Sequence, residues 1–198
     1  MEFELFPKIG RLNRDCTITE KIDGTNGQLL FDEYGNLLVG SRTRQIHPEG
    51  EVFHADGTPV KGTDNMGFAK WAYDNQSELF DYLGPGRHYG EWAGYGIQRG
   101  YNLDHKRFYL FNTFRWNTAI PQELYNIGLD VVPVMLNGPF DTDIVNVMVE
   151  LLRTKGSCIN NFPKPEGVIV YHHTLRTYAK VTCQKDGRGK GYDDRPPS

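Results

Sequence analysis

The residues of this chain best suited to chemistry lie between positions 20 and 26, in the order Glu20-Lys21-Ile22-Asp23-Gly24-Thr25-Asn26. Residues 17–22 form an alternating stretch, which predicts a strand that ends in a tight turn and holds Lys21 rigidly. A lysine amine becomes a nucleophile once its positive charge is suppressed. A glycine in the turn would let the backbone approach a phosphate closely. The same short pattern also fits an ordinary strand followed by a turn.

The protonation state of Lys21 decides whether its amine can attack. A free lysine has a pKa of about 10.4 and is almost wholly protonated at neutral pH. Burial, and a nearby cation such as Lys180 or a metal ion, would favour the neutral and reactive form. We therefore look for further residues that would create such surroundings.

Two carboxylates and one aromatic side chain are the next candidates. Glu91 lies in the glycine-containing segment 88–98, and a strand glutamate buried without a partner is costly, so a bound ligand is the more economical account. Glu166 precedes a predicted strand and can hold Mg²⁺, which keeps most of its waters. In the apolar segment 108–111, strand alternation directs Phe111 away from the side that Phe108 occupies. An aromatic face of this kind can stack on a base or pack in a core.

Composition limits the classes of protein to consider. The chain has 198 residues, 22 basic and 25 acidic, with a net charge of −3. The length suits one sizeable core. The near balance of charge excludes a polycation, so a nucleic-acid partner would need a local basic surface. Three scattered cysteines without Cys-x-x-Cys spacing suggest a reducing compartment. No signal peptide or membrane-spanning run is visible, and the sequence predicts a cytoplasmic protein.

The elements that would position these residues are mainly strands. A hairpin is predicted at 28–40, followed by a long loop at 43–65 and a helix over 68–83. Further strands are predicted at 87–93, 107–114, 129–135, 167–172 and 176–182. A second helix begins at Asp141, ends at Gly156 and is expected to turn Ile144, Val147, Met148, Leu151 and Leu152 inward. Short connections between neighbouring strands predict an α+β fold with mainly antiparallel sheets and a few packed helices.

Five further segments, taken together with Lys21, resemble the motifs of a known superfamily. They are residues 41–43, similar to motif Ia; 88–98, similar to the glycine-rich motif III; 108–111, similar to motif IIIa; 166–168, similar to motif IV; and 178–182, similar to motif V. Phe111 follows Glu91 by twenty positions, as in the family pattern. The match spans residues 20–182 and is similar to the covalent nucleotidyltransferases, the polynucleotide ligases and mRNA capping enzymes. Within them, the chain most resembles the ATP-dependent RNA ligases of the phage nick-sealing group.

This resemblance implies a nucleotidyltransferase (adenylation) domain over residues 1–184, with a flexible polar tail over 185–198. Lys21 would receive AMP from ATP and so be the catalytic nucleophile. Lys180 would neutralise the α-phosphate, and Glu166 would hold Mg²⁺ or Mn²⁺. AMP would then pass to an RNA 5′-phosphate, and a 3′-hydroxyl would displace it to seal the strand.

The resemblance also assigns nucleotide-binding roles to five other residues. Glu20 would lie near the adenine, Asn26 near the ribose or the substrate end, Arg42 at a phosphate, Glu91 at a ribose hydroxyl, and Phe111 against the adenine ring. DNA ligases usually carry arginine at the position of Asn26, so the asparagine favours RNA.

Two departures from the family pattern leave alternatives open. Thr182 stands where the family usually has a second lysine, and the chain ends soon after motif V, whereas many relatives carry an additional C-terminal domain. The alternatives are a small DNA ligase acting on DNA-containing duplexes, a capping guanylyltransferase, and a nucleotide-dependent nucleic-acid-binding module without catalysis. A separate nucleic-acid-binding partner is also compatible with the sequence. An intracellular protein of phage or viral origin fits the resemblance.

Overall fold

The fold is described from a computed structural model covering residues 2–4, 9–48, 57–58 and 61–184. In chain order its elements are β1 (Asp15–Lys21), β2 (Thr25–Phe31), β3 (Leu37–Gly40), α1 (Phe68–Asp74), α2 (Gln76–Leu83), β4 (Gly86–Gly94), β5 (Lys106–Leu110), α3 (Gln122–Ile127), β6 (Leu129–Val131), β7 (Val134–Pro139), α4 (Thr142–Lys155), β8 (Gly167–His172) and β9 (Thr177–Thr182). A 3₁₀ turn occupies Gly100–Asn102.

The chain divides into two compact units. One contains the residues up to Lys21 together with those from Pro133 onward, and the other is Ile22–Val132. Both are built on mainly antiparallel sheets, which confirms the predicted α+β class. The predicted domain over residues 1–184 remains a prediction, and its tail at 185–198 lies outside the described residues.

The first unit contains a four-stranded antiparallel sheet in the order β7-β1-β8-β9. Helix α4 packs on one face of this sheet through Val145, Val149 and Leu152, which are buried with Ile18, Val168 and Val170. Strand alternation places the next set of side chains on the opposite face. Lys21 is directly opposite Gly167, and Gly167 is opposite Thr182. Because Gly167 alternates with Val168, which packs under α4, Lys21 belongs to the face that α4 does not cover.

The second unit contains a five-stranded sheet in the order β3-β2-β4-β5-β6, in which only the β5–β6 pair is parallel. Helices α1 and α2 cover one face, with Phe68, Trp92 and Phe108 at the centre of an aromatic core. Gly27 and Gly90 lie under this core. An added Cβ on Gly27 would meet the rings of Phe68 and Phe108 within 3.0 Å, and one on Gly90 would meet the Phe108 ring at 2.7 Å. The residues that alternate with these, among them Asn26 and Glu91, lie on the other face.

Several local predictions are confirmed. Helix α4 begins after Asp141, whose side chain accepts a hydrogen bond of 2.7 Å from the Asp143 backbone N–H, and it ends at Gly156 with φ of 86°. The strand predicted at 167–172 has those bounds. In the hairpin turn, the Asp32 carboxylate accepts from the backbone N–H of Tyr34 and of Asn36. Parts of the predicted loop at 43–65 lie outside the described residues.

Other predictions are wrong in detail. The helix over 68–83 is two helices, because the chain leaves helical geometry at Asn75. The strand over 129–135 is also divided, and its halves join different sheets on either side of Val132-Pro133. Proline cannot donate to a strand ladder and restricts the residue before it. Helix α3 was not predicted.

The inward face of α4 was predicted only in part: Leu152 is buried, and Ile144 and Met148 pack against the same core. Val147 and Leu151 are 58% and 44% exposed, whereas Val145 and Val149, which were not predicted, are buried. The apolar residues of this helix cover more than one face, so periodicity did not determine which face meets the sheet. In the described ranges, no helix is long and apolar enough to cross a membrane.

Candidate functional site

The predicted nucleophile is paired with the predicted metal ligand. Lys21 ends β1, and its Nζ lies 2.7 Å from Oε2 of Glu166. The two side chains are 23% and 19% exposed, so the pair is sheltered but reachable. The contact is an ion pair without the alignment of a hydrogen bond.

Backbone geometry fixes Glu166 beside Lys21. The next residue, Gly167, has φ of 153°, and a Cβ there would lie 2.1 Å from the Val181 carbonyl oxygen. The Glu166 carbonyl also accepts a hydrogen bond of 2.8 Å from the Cys183 backbone N–H. Glycine is therefore required at 167 for β9 to pair closely at this point.

Lys180 lies on the same sheet face as Lys21. It is exposed and directly opposite Ile169 in the β8–β9 ladder, two pairs further along than Gly167 and Thr182. Thr182 is in line with Lys21 across Gly167. A second lysine at 182, as in the family pattern, would add a cation in the row of Lys21.

Glu20 is on the opposite face of the same sheet. It is 1% exposed and accepts a hydrogen bond of 2.8 Å from the Cys158 backbone N–H. Burial raises the pKa of this carboxyl, although hydrogen bonds from Ser157 and Cys158 act in the other direction. Burial, followed by the charge of Glu20, raises the pKa of the Cys158 thiol to about 11. The predicted adenine-binding role of Glu20 stays a prediction.

In the second unit, Glu91 connects two residues of the lysine-containing segment. Its Oε1 accepts from the Gly24 backbone N–H at 3.1 Å and its Oε2 from Asn26 Nδ2 at 3.0 Å. The register explains this, because Asn26 is directly opposite Glu91 in the β2–β4 ladder. A Cβ on Gly24 would lie 2.4 Å from the Trp92 carbonyl oxygen, so close packing alone requires this glycine.

A second set of contacts holds the turn that follows Lys21. The Asp23 backbone N–H donates to the Tyr101 hydroxyl at 2.7 Å, and Arg99 Nε donates to Asp23 Oδ2 at 2.8 Å. Tyr101 is fully buried and has φ of 53°, a conformation that is costly for a non-glycine residue. Sequence reasoning did not single out Tyr101. In the sequence, the only feature that could have indicated its role is the position of an aromatic residue directly after Arg99-Gly100.

Arg42 lies beside an open polar pocket of about 520 Å³ in the second unit. The pocket is lined by Gly24, Thr25, Asn26, Ser41, Arg42, Thr43, Arg44, Asn65 and Glu91. Asn65 was missed from the sequence, and its Nδ2 donates to Thr25 Oγ1 at 2.5 Å. Two arginines with backbone and hydroxyl donors suit a phosphorylated ligand.

Phe111 continues the β5 ladder by one residue, with its backbone N–H donating to the Tyr89 carbonyl at 2.9 Å. Its side chain is 41% exposed, which is unusual for a large apolar residue at the end of a core strand. Phe108 and Leu110 are buried on the helix-covered face, as alternation predicts. Phe111 is therefore available to contact a ligand.

The chain belongs to the RNA ligase family, which it matches over residues 14–185. No curated protein matches it significantly.

Solved structures of Naegleria gruberi RNA ligase share this fold. A mutant with ATP and Mn is 17% identical with a TM-score of 0.56, and the match covers 87% of this chain and 51% of that one. An apo mutant is 17% identical with a TM-score of 0.57, covering 86% and 50%. A mutant with AMP and Mn is 16% identical with a TM-score of 0.55, covering 86% and 50%. The chain thus spans about half the length of these ligases.

Proposed function

We propose that this chain carries the chemistry of an ATP-dependent RNA ligase, with Lys21 as the nucleophile. The observation that carries the proposal is the Lys21–Glu166 pair at the end of β1, inside the region matched by the RNA ligase family. The Naegleria ligase structures with ATP or AMP and Mn support ATP and a divalent metal as its requirements.

In the first step, the deprotonated Lys21 Nζ attacks the α-phosphorus of ATP. A nitrogen–phosphorus bond forms, the bond to the bridging oxygen breaks, and pyrophosphate leaves with that oxygen. Lys180, on the same sheet face, supplies positive charge for the α-phosphate. AMP then passes to an RNA 5′-phosphate, and a 3′-hydroxyl displaces AMP to form the phosphodiester. Steps of this kind depend mainly on positioning and charge neutralisation.

Glu166 could be one ligand of a divalent metal, with waters and phosphate oxygens as the others. Glu166 is the carboxylate next to the nucleophile, and no group of three or more His, Cys, Asp or Glu side chains in the described part of the chain could form a complete metal site. Mg²⁺ is commonly held by one or two carboxylates, several waters and phosphate oxygens. Such an ion would supply charge neutralisation and draw Glu166 away from the Lys21 ammonium.

The remaining predicted residues are assigned to the nucleotide and the RNA end. Glu91 and Phe111 would hold the ribose and the base, Glu20 would lie near the adenine, and Arg42 would contact a phosphate. Asn26 would act at the ribose or at the substrate end, where its amide can both donate to and accept from sugar hydroxyls.

The test is transfer of label from α-labelled ATP to the protein in the presence of Mg²⁺ or Mn²⁺. The wild-type chain should gain one AMP and Lys21→Ala none. Lys70→Ala is the matched control, because Lys70 is also paired with a carboxylate, that of Asp74 at 2.8 Å, and it should label normally. Undiminished labelling of Lys21→Ala would refute the assignment. Sealing assays on matched RNA and DNA nicks then decide between RNA and DNA.

A further inference from the structure

An exposed aromatic cluster lies on the Lys21 face of the first unit's sheet. The rings of Tyr171 and Tyr178 have centroids 4.6 Å apart at an interplanar angle of 35°. The His173 ring lies 5.6 Å from that of Tyr171. Tyr178 is 72% exposed, so much of one large ring faces solvent. We call these three residues the aromatic surface.

The aromatic surface is held by regular structure. Tyr171 and Tyr178 are directly opposite each other in the β8–β9 ladder. Thr17 Oγ1 donates to Asn137 Oδ1 at 2.7 Å and lies 2.9 Å from His173 Nε2. Because the hydroxyl hydrogen is used on Asn137, His173 Nε2 must donate to Thr17. The rings are thus pre-organised, which reduces the entropy lost when a ligand stacks on them.

Position and charge connect the aromatic surface to the proposed chemistry. Lys180 is two residues from Tyr178 on the same strand face. Gly167, opposite Lys21, is four residues from Tyr171 on β8, which corresponds to roughly 13 Å along a strand. Four stacked nucleotides of one nucleic-acid strand span about the same distance. A cation therefore lies between an exposed stacking surface and the nucleophile.

We propose that the aromatic surface stacks an unpaired nucleobase of the RNA, a few nucleotides from the reacting end. The inference rests on the proposed function, since it concerns the substrate of the same site. Stacking on an aromatic side chain contributes about 1–3 kcal/mol per base. A cross-strand aromatic pair that only stabilises a sheet contributes about 0.2–1 kcal/mol, and that role does not use the exposed face of Tyr178.

An unpaired base is required because bases inside a duplex are already stacked on their neighbours. Aromatic side chains in RNA-binding proteins take up bases from single-stranded loops, bulges and ends. The aromatic surface therefore favours a substrate with single-stranded nucleotides next to the break, such as an open loop or a free end, over a fully paired nick.

The experiment measures binding of a fluorescein-labelled 12-nucleotide RNA by anisotropy, once as a single strand and once in a full duplex. Tyr178→Ala should weaken single-strand binding by about fivefold to 160-fold, the equivalent of 1–3 kcal/mol. Tyr178→Phe should stay within about twofold of wild type. Duplex binding should be unaffected in both variants. Tyr34→Ala, which removes an exposed tyrosine from the β2–β3 turn, is the matched control.

Tyr178→Leu separates stacking from sheet stability, because it keeps an apolar cross-strand contact but lacks an aromatic face. It should bind single strands nearly as weakly as Tyr178→Ala while unfolding at the wild-type temperature. Wild-type binding by Tyr178→Ala, equal loss on single strand and duplex, or no RNA binding by the wild-type chain would each overturn the inference. If Lys21 gains no AMP but Tyr178→Ala still loses only single-strand binding, the proposed function fails and the RNA surface stands.

Discussion

Replacing Glu91 by glutamine or alanine tests whether this carboxylate organises the segment after Lys21. Glu91 accepts two hydrogen bonds, from the Gly24 N–H at 3.1 Å and from Asn26 Nδ2 at 3.0 Å. Alanine removes both acceptors. Glutamine keeps one oxygen for Gly24 and turns an –NH₂ toward Asn26, whose amide can rotate by half a turn and offer its own oxygen. Two neutral bonds then replace two charge-assisted ones.

The magnitudes follow from the two kinds of bond. Hydrogen bonds to charged groups contribute about 1.5–3 kcal/mol each, and neutral ones about 0.5–1.5 kcal/mol. Glu91→Ala should therefore lower the free energy of unfolding by ~3–6 kcal/mol, less whatever water restores at this open pocket. Glu91→Gln should lower the free energy of unfolding by ~2–3 kcal/mol, with the Asn26 amide rotated by half a turn. Both variants should form Lys–AMP more slowly, because the segment that follows the nucleophile is less well fixed.

The assay is urea unfolding of both variants, followed by the rate of labelling from α-labelled ATP. Glu33→Gln is the control for the same chemical change at an exposed position and should stay within about 0.5 kcal/mol of wild type. If Glu91→Gln lowers the free energy of unfolding as much as Glu91→Ala does, the hydrogen bonds to Gly24 and Asn26 do not act as described. Wild-type labelling by a folded Glu91→Ala would remove Glu91 from the nucleotide site altogether.

Three further results are expected. Tyr101→Phe should leave the Asp23 N–H without its acceptor, cost about 1–3 kcal/mol in thermal or urea unfolding, and slow labelling; unchanged stability would contradict it. Phe111→Ala should weaken ATP binding by about 1–3 kcal/mol with little effect on unfolding, and Phe111→Leu should lose less in the same titration; equal ATP affinity in all three proteins would exclude stacking. Because burial raises the pKa of Glu20, the folded state holds that proton more tightly than the unfolded state. The stability of wild type relative to Glu20→Gln should therefore fall as pH rises from 4 to 8, and a flat difference would show that Glu20 is not destabilised by ionisation.

Local pattern predicted the strand ends that carry the proposed chemistry. Lys21 terminates β1 and Glu166 directly precedes β8. Both positions could be predicted because strand alternation and a nearby glycine are visible in the sequence itself. The orientation of Phe111 away from Phe108 also follows from a period of two. These features depend on residues a few positions apart, where sequence reasoning is strongest.

Contacts set by strand register were not predictable in the same way. The bond between Asn26 and Glu91 requires β2 and β4 to pair in one register over 65 positions, and the one between Asp23 and Tyr101 joins residues 78 apart. The sheet face of Glu20 was equally hidden, because adjacent residues of a strand point in opposite directions. Neighbours in sequence can therefore belong to different environments, as Glu20 and Lys21 do.

The Lys21–Glu166 ion pair also fixes a charge balance that changes during the proposed reaction. The free pair is an ammonium and a carboxylate, with a sum of zero. Once AMP is attached, the nitrogen is uncharged and the phosphate contributes a negative charge beside the carboxylate, so the same place carries about two negative charges. Covalent modification would thus turn a neutral pair into a cation-binding spot, and the modified protein should hold a divalent ion more tightly than the unmodified one.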